Sequence, residues 1–200
     1  MLLLIACDLA AGSAARDGPG AADTRAAAAA RGDRAAAAEL LAELLPRARN
    51  LIRYLVRGDA EVDDMAQEAL IAVLRGLPSY RGDGTFKSWS DRVVVRATFA
   101  CLRRRRADDA RRAAETPELL PVDDRPAVAE YLARRDLARL LDELPAEQRH
   151  ALVLHHAVGM SVPEIADEVG VPLETIRSRL RLGMASLRST LEIFRSGDRP

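Results

Sequence analysis

The sequence predicts an all-α chain of two small helical domains joined by a flexible linker, the C-terminal one a helix-turn-helix. Composition is the first reason: 37 of the 200 residues are Ala, and 29 Arg stand against the single Lys87. Both residue types lose little conformational entropy in a helix. Period is the second, because apolar residues recur at 3.6-residue spacing through most of the chain. The third is a break in that period, where Pro117, Pro121 and Pro126 stand among carboxylates. At 48% hydrophobic and 30% charged, the chain can bury a core and is too charged for a membrane protein.

Residues 1–30 are Ala, Gly, Asp and Arg without apolar periodicity, and are expected to be a disordered tail. From Ala35 a helical pattern carries Leu40, Leu41, Leu44 and Leu45, then, after Pro46, Leu51, Ile52, Leu55 and Val56. Gly58 stops it and Asp59 can cap the next helix. That helix has one stripe, Val62, Met65, Ala66, Ala69, Leu70, Val73, Leu74 and Leu77, with Asp63, Asp64, Gln67, Glu68 and Arg75 opposite. The turn Arg81-Gly82-Asp83-Gly84 leads to Thr85, the expected N-cap of a fourth helix from Phe86 to about Arg106. Residues 31–106 thus form a first domain, 107–127 a linker and 128–195 a second domain. The second domain opens with Tyr131, Leu132, Leu137, Leu140, Leu141 and Leu144 on one face, followed by Pro145 and a helix through Leu152, Val153 and Leu154. Arg-Gly-Asp occurs at residues ending in Asp33, Asp59 and Asp83, each time before a helical stretch, where Gly breaks and Asp caps.

The sharpest local signal runs from Ser161 to Pro172. Ser161 and Glu164 form a capping box, Pro163 sits in the first turn where its missing N–H costs nothing, and Gly170 ends the helix in the left-handed conformation. Ile165, Ala166 and Val169 face inward and Val171 plugs the corner. The helix that follows buries Ile176, Leu180, Leu187 and Leu191, leaving Thr175, Arg177, Ser178 and Arg181 to project elsewhere. This is a helix-turn-helix, whose second helix can enter a major groove and present its N-terminal residues to base edges.

Other chemistries are excluded or weak. Cys7 and Cys101 lack metal-type spacing, so neither a disulfide framework nor a metal site is expected, and a reducing cytoplasm is the expected setting. The start, Leu2 to Ala6 before Cys7, has no basic segment and too short an apolar run for an export signal. No run of 18 apolar residues spans a bilayer. His155 and His156 are adjacent on a helix and point about 100° apart, and no phosphate-cradling Gly loop exists. The chain is expected to be no enzyme and to need no cofactor.

The formal charge is zero, yet it is segregated. Residues 80–106 carry eight basic residues against Asp83 and Asp91, a net of +6, and residues 172–200 carry six Arg against three acids, a net of +3. Arg92, Arg96 and Arg103 share a helical stripe that can track a phosphate backbone. The stretches Asp64-Met65-Ala66-Gln67-Glu68, Tyr80-Arg81-Gly82-Asp83-Gly84-Thr85-Phe86-Lys87-Ser88-Trp89 and Leu102-Arg103-Arg104-Arg105-Arg106 resemble region 2 of the sigma-70 family of RNA polymerase sigma factors. Leu144-Pro145-Ala146-Glu147-Gln148-Arg149 with the helix-turn-helix is similar to region 4. The resemblance covers about Arg31 to Leu191, and the short linker matches the extracytoplasmic function (ECF) subgroup.

The resemblance implies a factor that binds core RNA polymerase, recognises minus-ten and minus-thirty-five promoter elements, melts the promoter through region 2 and directs initiation. It implies docking on the beta-prime clamp through Asp63, Asp64, Gln67 and Glu68, with the beta flap as a further polymerase contact. Gly82, Asp83, Thr85, Lys87, Arg92, Arg96 and Arg103 would meet the minus-ten element. Thr175, Arg177, Ser178, Arg179 and Arg181 would meet the minus-thirty-five element, Arg179 on phosphate and Arg177, Ser178 and Arg181 on bases. Two positions depart from the family pattern: Arg96 stands where Asn is common, and Leu182 where Arg is often found. Trp89, aligned with Val93, Ala97 and Ala100, reads as core rather than as a stacking platform. An anti-sigma factor, often membrane-bound, is a further implied partner, and no small-molecule substrate is. The rival reading is a stand-alone helix-turn-helix regulator that binds duplex operator DNA without polymerase.

Overall fold

The computed structural model describes residues 21–112 and 129–196, and among them every regular element is helical. In order these are α1 (Ala21–Ala30), α2 (Arg34–Leu55), α3 (Val62–Gly76), a 3-10 turn (Leu77–Ser79), α4 (Phe86–Arg112), α5 (Ala129–Asp142), α6 (Ala146–His156), α7 (Val162–Val169) and α8 (Leu173–Ser196). Two compact units result, one built from residues 21–53 and 58–112, the other from 129–196 together with 54–57.

In the first unit α3 packs along α4, and six of the eight stripe positions read from the sequence, Val62, Met65, Ala66, Ala69, Val73 and Leu77, are under 8% exposed, while Leu70 and Leu74 at the edge of the stripe are half-buried. Helix α2 runs through Pro46. Pro46 and Ala42 both lie on the exposed side, so the carbonyl that loses its donor there faces water.

Part of the expected tail is corrected. Residues 21–30 form α1, which packs on the 3-10 turn and on α4, buries Ala26 and pairs Arg25 with Glu43. An alanine face is too small to register as an apolar stripe, yet it favours helix strongly and permits close packing. Residues 1–20 lie outside the described residues. The expected end of the fourth helix is also corrected, since α4 continues past Arg106 to Arg112, aided by alanines at 107 and 110 and by an Asp108–Arg111 pair. The remainder of the expected linker, 113–127, lies outside the described residues.

The Arg-Gly-Asp reading holds once in full. Gly32 is at φ +96° and the Asp33 carboxylate accepts from the Ala35 and Ala36 amides at 2.9 and 3.1 Å. Gly58 and Gly82 also take positive φ. Asp59, however, accepts from Arg53 at 2.6 Å and leaves α3 without a side-chain cap, and the cap of α4 is Thr85, whose Oγ1 accepts from the Ser88 amide at 3.2 Å.

In the second unit Leu137, Leu140, Leu141 and Leu144 are buried as read, and Pro145 precedes the first turn of α6. Buried Arg149 reaches back to Asp142 at 3.1 Å. The capping box of α7 is present in both directions: the Ser161 Oγ accepts from the Glu164 amide at 3.4 Å, and Glu164 Oε2 accepts from the Ser161 amide at 2.8 Å. Such a cap is worth about 1 kcal/mol. Gly170 is at φ +69°, where its own amide and that of Val171 both reach the Ala166 carbonyl. The chain therefore turns sharply enough for α8 to cross α7.

Candidate nucleic-acid interface

Helix α8 sorts its residues by face. Ile176, Leu187 and Leu191 are buried and Leu180 is half-buried, as expected, and Gly183 joins them on the inner side. Ser178, Arg177 and Arg181 are exposed, and Thr175 and Arg179 half-exposed. Glu174 holds Arg177 in an ion pair one turn away. No ion-pair partner is present for Arg181 among the described residues. Of the two arginines, Arg181 alone is exposed without a carboxylate holding it among the described residues.

In the first unit the segment between the 3-10 turn and α4 is a short closed loop. Tyr80 Oη donates to the Gly84 carbonyl at 2.7 Å, Gly82 takes φ +79°, and Thr85 caps the helix. Gly82, Asp83 and Thr85 are exposed on it. Behind the loop stand three rings: Tyr80 lies 5.5 Å from Phe86 and 5.4 Å from Trp89, and Phe86 lies 5.4 Å from Trp89 between centroids.

The placing of Trp89 in the core is corrected, for Trp89, Val93, Ala97 and Ala100 are all only half-buried. The buried rows of α4 are instead Phe86, Ser90, Val94, Thr98 and Cys101, with Asp91, Val95 and Phe99 alongside. Three polar residues can lie there because each is satisfied. Ser90 donates to the Lys87 carbonyl at 2.9 Å, Thr98 to the Val94 carbonyl at 2.8 Å, and Asp91 takes a two-pronged bond from Arg47, at 2.7 Å through Nε.

Arg96 and Arg103 are exposed on α4, while Lys87 and Arg92 are half-buried. Burial lowers the Lys87 pKa, and the Arg47 guanidinium lowers it further against an upward pull from Asp91. The Arg103 to Arg106 run is divided in its roles, since Arg104 pairs with Glu68 and Arg105 with Glu61, both on the α3 side.

All four acidic and amide residues assigned to α3 are exposed. Asp63 accepts from Arg49 at 2.6 Å and Glu68 from Arg104, whereas Asp64 and Gln67 have no hydrogen-bond or ion-pair partner among the described residues. Exposed ion pairs of this kind are worth about 0–1 kcal/mol and exchange readily. Among the described residues, no group of three or more His, Cys, Asp and Glu side chains is placed to hold a metal, and no helix is long and apolar enough to cross a membrane.

A helix-turn-helix with an Arg-bearing second helix, in a chain whose other unit carries a basic helix and an acidic face, defines a helical DNA-binding protein. Residues 40–109 match the family model of sigma-70 region 2, and residues 134–187 that of sigma-70 region 4. The chain is 34% identical over 166 residues to the ECF RNA polymerase sigma factor SigM of Mycobacterium tuberculosis, covering 83% of this chain and 82% of that one. It is 33% identical over 156 residues to SigE of Mycolicibacterium smegmatis, covering 76% and 60%. Two solved structures share the fold. CnrH in complex with the cytosolic domain of CnrY aligns at TM-score 0.53 and 25% identity, over 84% of this chain and 96% of that chain. The sigma factor RpoE in complex with the anti-sigma factor NepR from Bartonella quintana aligns at TM-score 0.57 and 22% identity, over 78% and 96%. The chain belongs to the sigma-70 family, in its ECF group, and directs promoter-dependent initiation by RNA polymerase.

Proposed function

We propose that this chain docks on the polymerase clamp through the exposed face of α3, centred on Asp64 and Gln67, with Asp63 and Glu68 exchanging their internal partners on docking. The Gly82–Thr85 loop with Lys87, Arg92, Arg96 and Arg103 receives the minus-ten strand. Thr175, Arg177, Ser178, Arg179 and Arg181 meet the minus-thirty-five duplex. Catalysis belongs to polymerase; the chain contributes specificity and strand opening in the cytoplasm. One observation carries this reading: Asp64 and Gln67 on one unit and Arg181 on the other are solvent-facing with no internal partner among the described residues.

The test is reconstitution with core polymerase. Specific initiation should require both components, whereas a stand-alone regulator would bind its duplex alone. Arg181→Ala should lower promoter-specific initiation about 10- to 100-fold, the discrimination expected from one lost Arg–guanine contact. Full activity of that variant on its own promoter would sink the assignment. Two fold relatives were solved in complex with a second protein, in one case an anti-sigma factor. We infer that such a factor also holds this chain, and a co-purification returning only polymerase subunits would count against it.

A further inference from the structure

Leu182 is 49% exposed, the more exposed of two large apolar side chains that stand in solvent among the described residues. A lone leucine on an ordinary surface needs no explanation. This one stands on the strip that the helix-turn-helix turns toward a groove. Thr175, Ser178 and Leu182, spaced by three and four residues, form one edge of that strip, and Arg177, Arg181 and Arg188 form the adjoining edge. The helix does not need Leu182 for packing, because Ile176, Gly183, Leu187 and Leu191 make its inner face.

In a major groove the hydrocarbon group displayed to a side chain is the C5-methyl of thymine, and apolar residues read it by contact. The flanking arginines supply the attraction that brings this strip to a polyanion. We propose that Leu182 is a specificity-determining residue that selects thymine, through its methyl group, at one position of the upstream promoter element beside the base read by Arg181. This rests on the promoter reading given above.

The experiment uses holoenzyme reconstituted from the full chain and core polymerase, and a duplex selected by it from a pool randomised over the upstream element. Each thymine of the selected duplex is then replaced singly by deoxyuridine, which lacks only the methyl group. One replacement should weaken binding by about three- to fivefold, the worth of one methyl removed from water. In Leu182→Ala holoenzyme that replacement should have no effect. The proposal is overturned if no replacement weakens wild-type binding, if the loss persists in Leu182→Ala, or if Leu182→Ala weakens selected and randomised duplexes alike. A pool that yields no enriched sequence defeats the promoter reading itself. Enrichment that Arg181→Ala abolishes but deoxyuridine leaves untouched defeats only the role of Leu182.

Discussion

Replacing Arg47 by alanine should destabilise the first unit by about 3–5 kcal/mol, because it strands a buried carboxylate. Asp91 is 4% exposed, and both of its oxygens are held by the Arg47 guanidinium. The two partners are unequal. Arg47 is about a third exposed and can turn to water, so Asp91→Ala should cost clearly less than Arg47→Ala. Urea titrations followed by circular dichroism would measure both, and equal losses would count against the asymmetry. The effect also has a pH signature. Burial raises the Asp91 pKa, and the hydrogen bond and charge of Arg47 draw it back. A carboxyl whose folded pKa lies above its unfolded value contributes stability at pH below the unfolded value and loses it as pH rises through the folded one. Without Arg47 that elevation grows, so the deficit of Arg47→Ala should be greatest at neutral pH and shrink toward about pH 4, the ordinary carboxylate range. A deficit independent of pH would mean that Asp91 is not the group left stranded.

The second large effect is expected at Gly183. A Cβ there would lie 2.9 Å from Leu152 Cδ1 and 3.3 Å from both Leu152 Cγ and Gln148 Cβ, so α8 touches α6 through a notch. Glycine inside a helix costs about 1 kcal/mol relative to alanine. Gly183→Ala recovers that amount while forcing the buried Leu152 to shift, and should be near neutral. Gly183→Val adds branched bulk with nowhere to go and should cost about 3 kcal/mol, at the upper end for overpacked cores. Because α8 also carries the arginines, the valine variant should lose upstream-element binding beyond its loss of stability. A valine variant as stable as the wild type would show that the helices separate freely.

What the sequence disclosed and what it hid follow from the range of the interactions. Ser161, Glu164 and Gly170 were legible because capping is decided within a few residues. The stripe of α3 was legible because every position on it is apolar. Helix α4 was misread because Ser90, Asp91 and Thr98 stand on its buried face, their polar groups satisfied by backbone carbonyls and by Arg47, which is 44 residues away in the chain. The Asp63–Arg49 and Glu68–Arg104 pairs join residues 14 and 36 positions apart, a distance no local pattern reports. Gly183 carries no periodic signal at all; only the approach of α6 shows why it is glycine. Helix α1 was missed because its packing side is made of alanine.

Trp89 is the chain's one tryptophan, and it sits half-buried against Tyr80 and Phe86, its indole edge over Gly76 and directly behind the Gly82–Thr85 loop. Tyrosine and phenylalanine contribute little to emission excited at the red edge of the indole band. The unlabelled protein thus carries an intrinsic fluorophore at a single known place. Its emission maximum and its quenching by added solutes report on this corner of the first unit and on no other part of the chain.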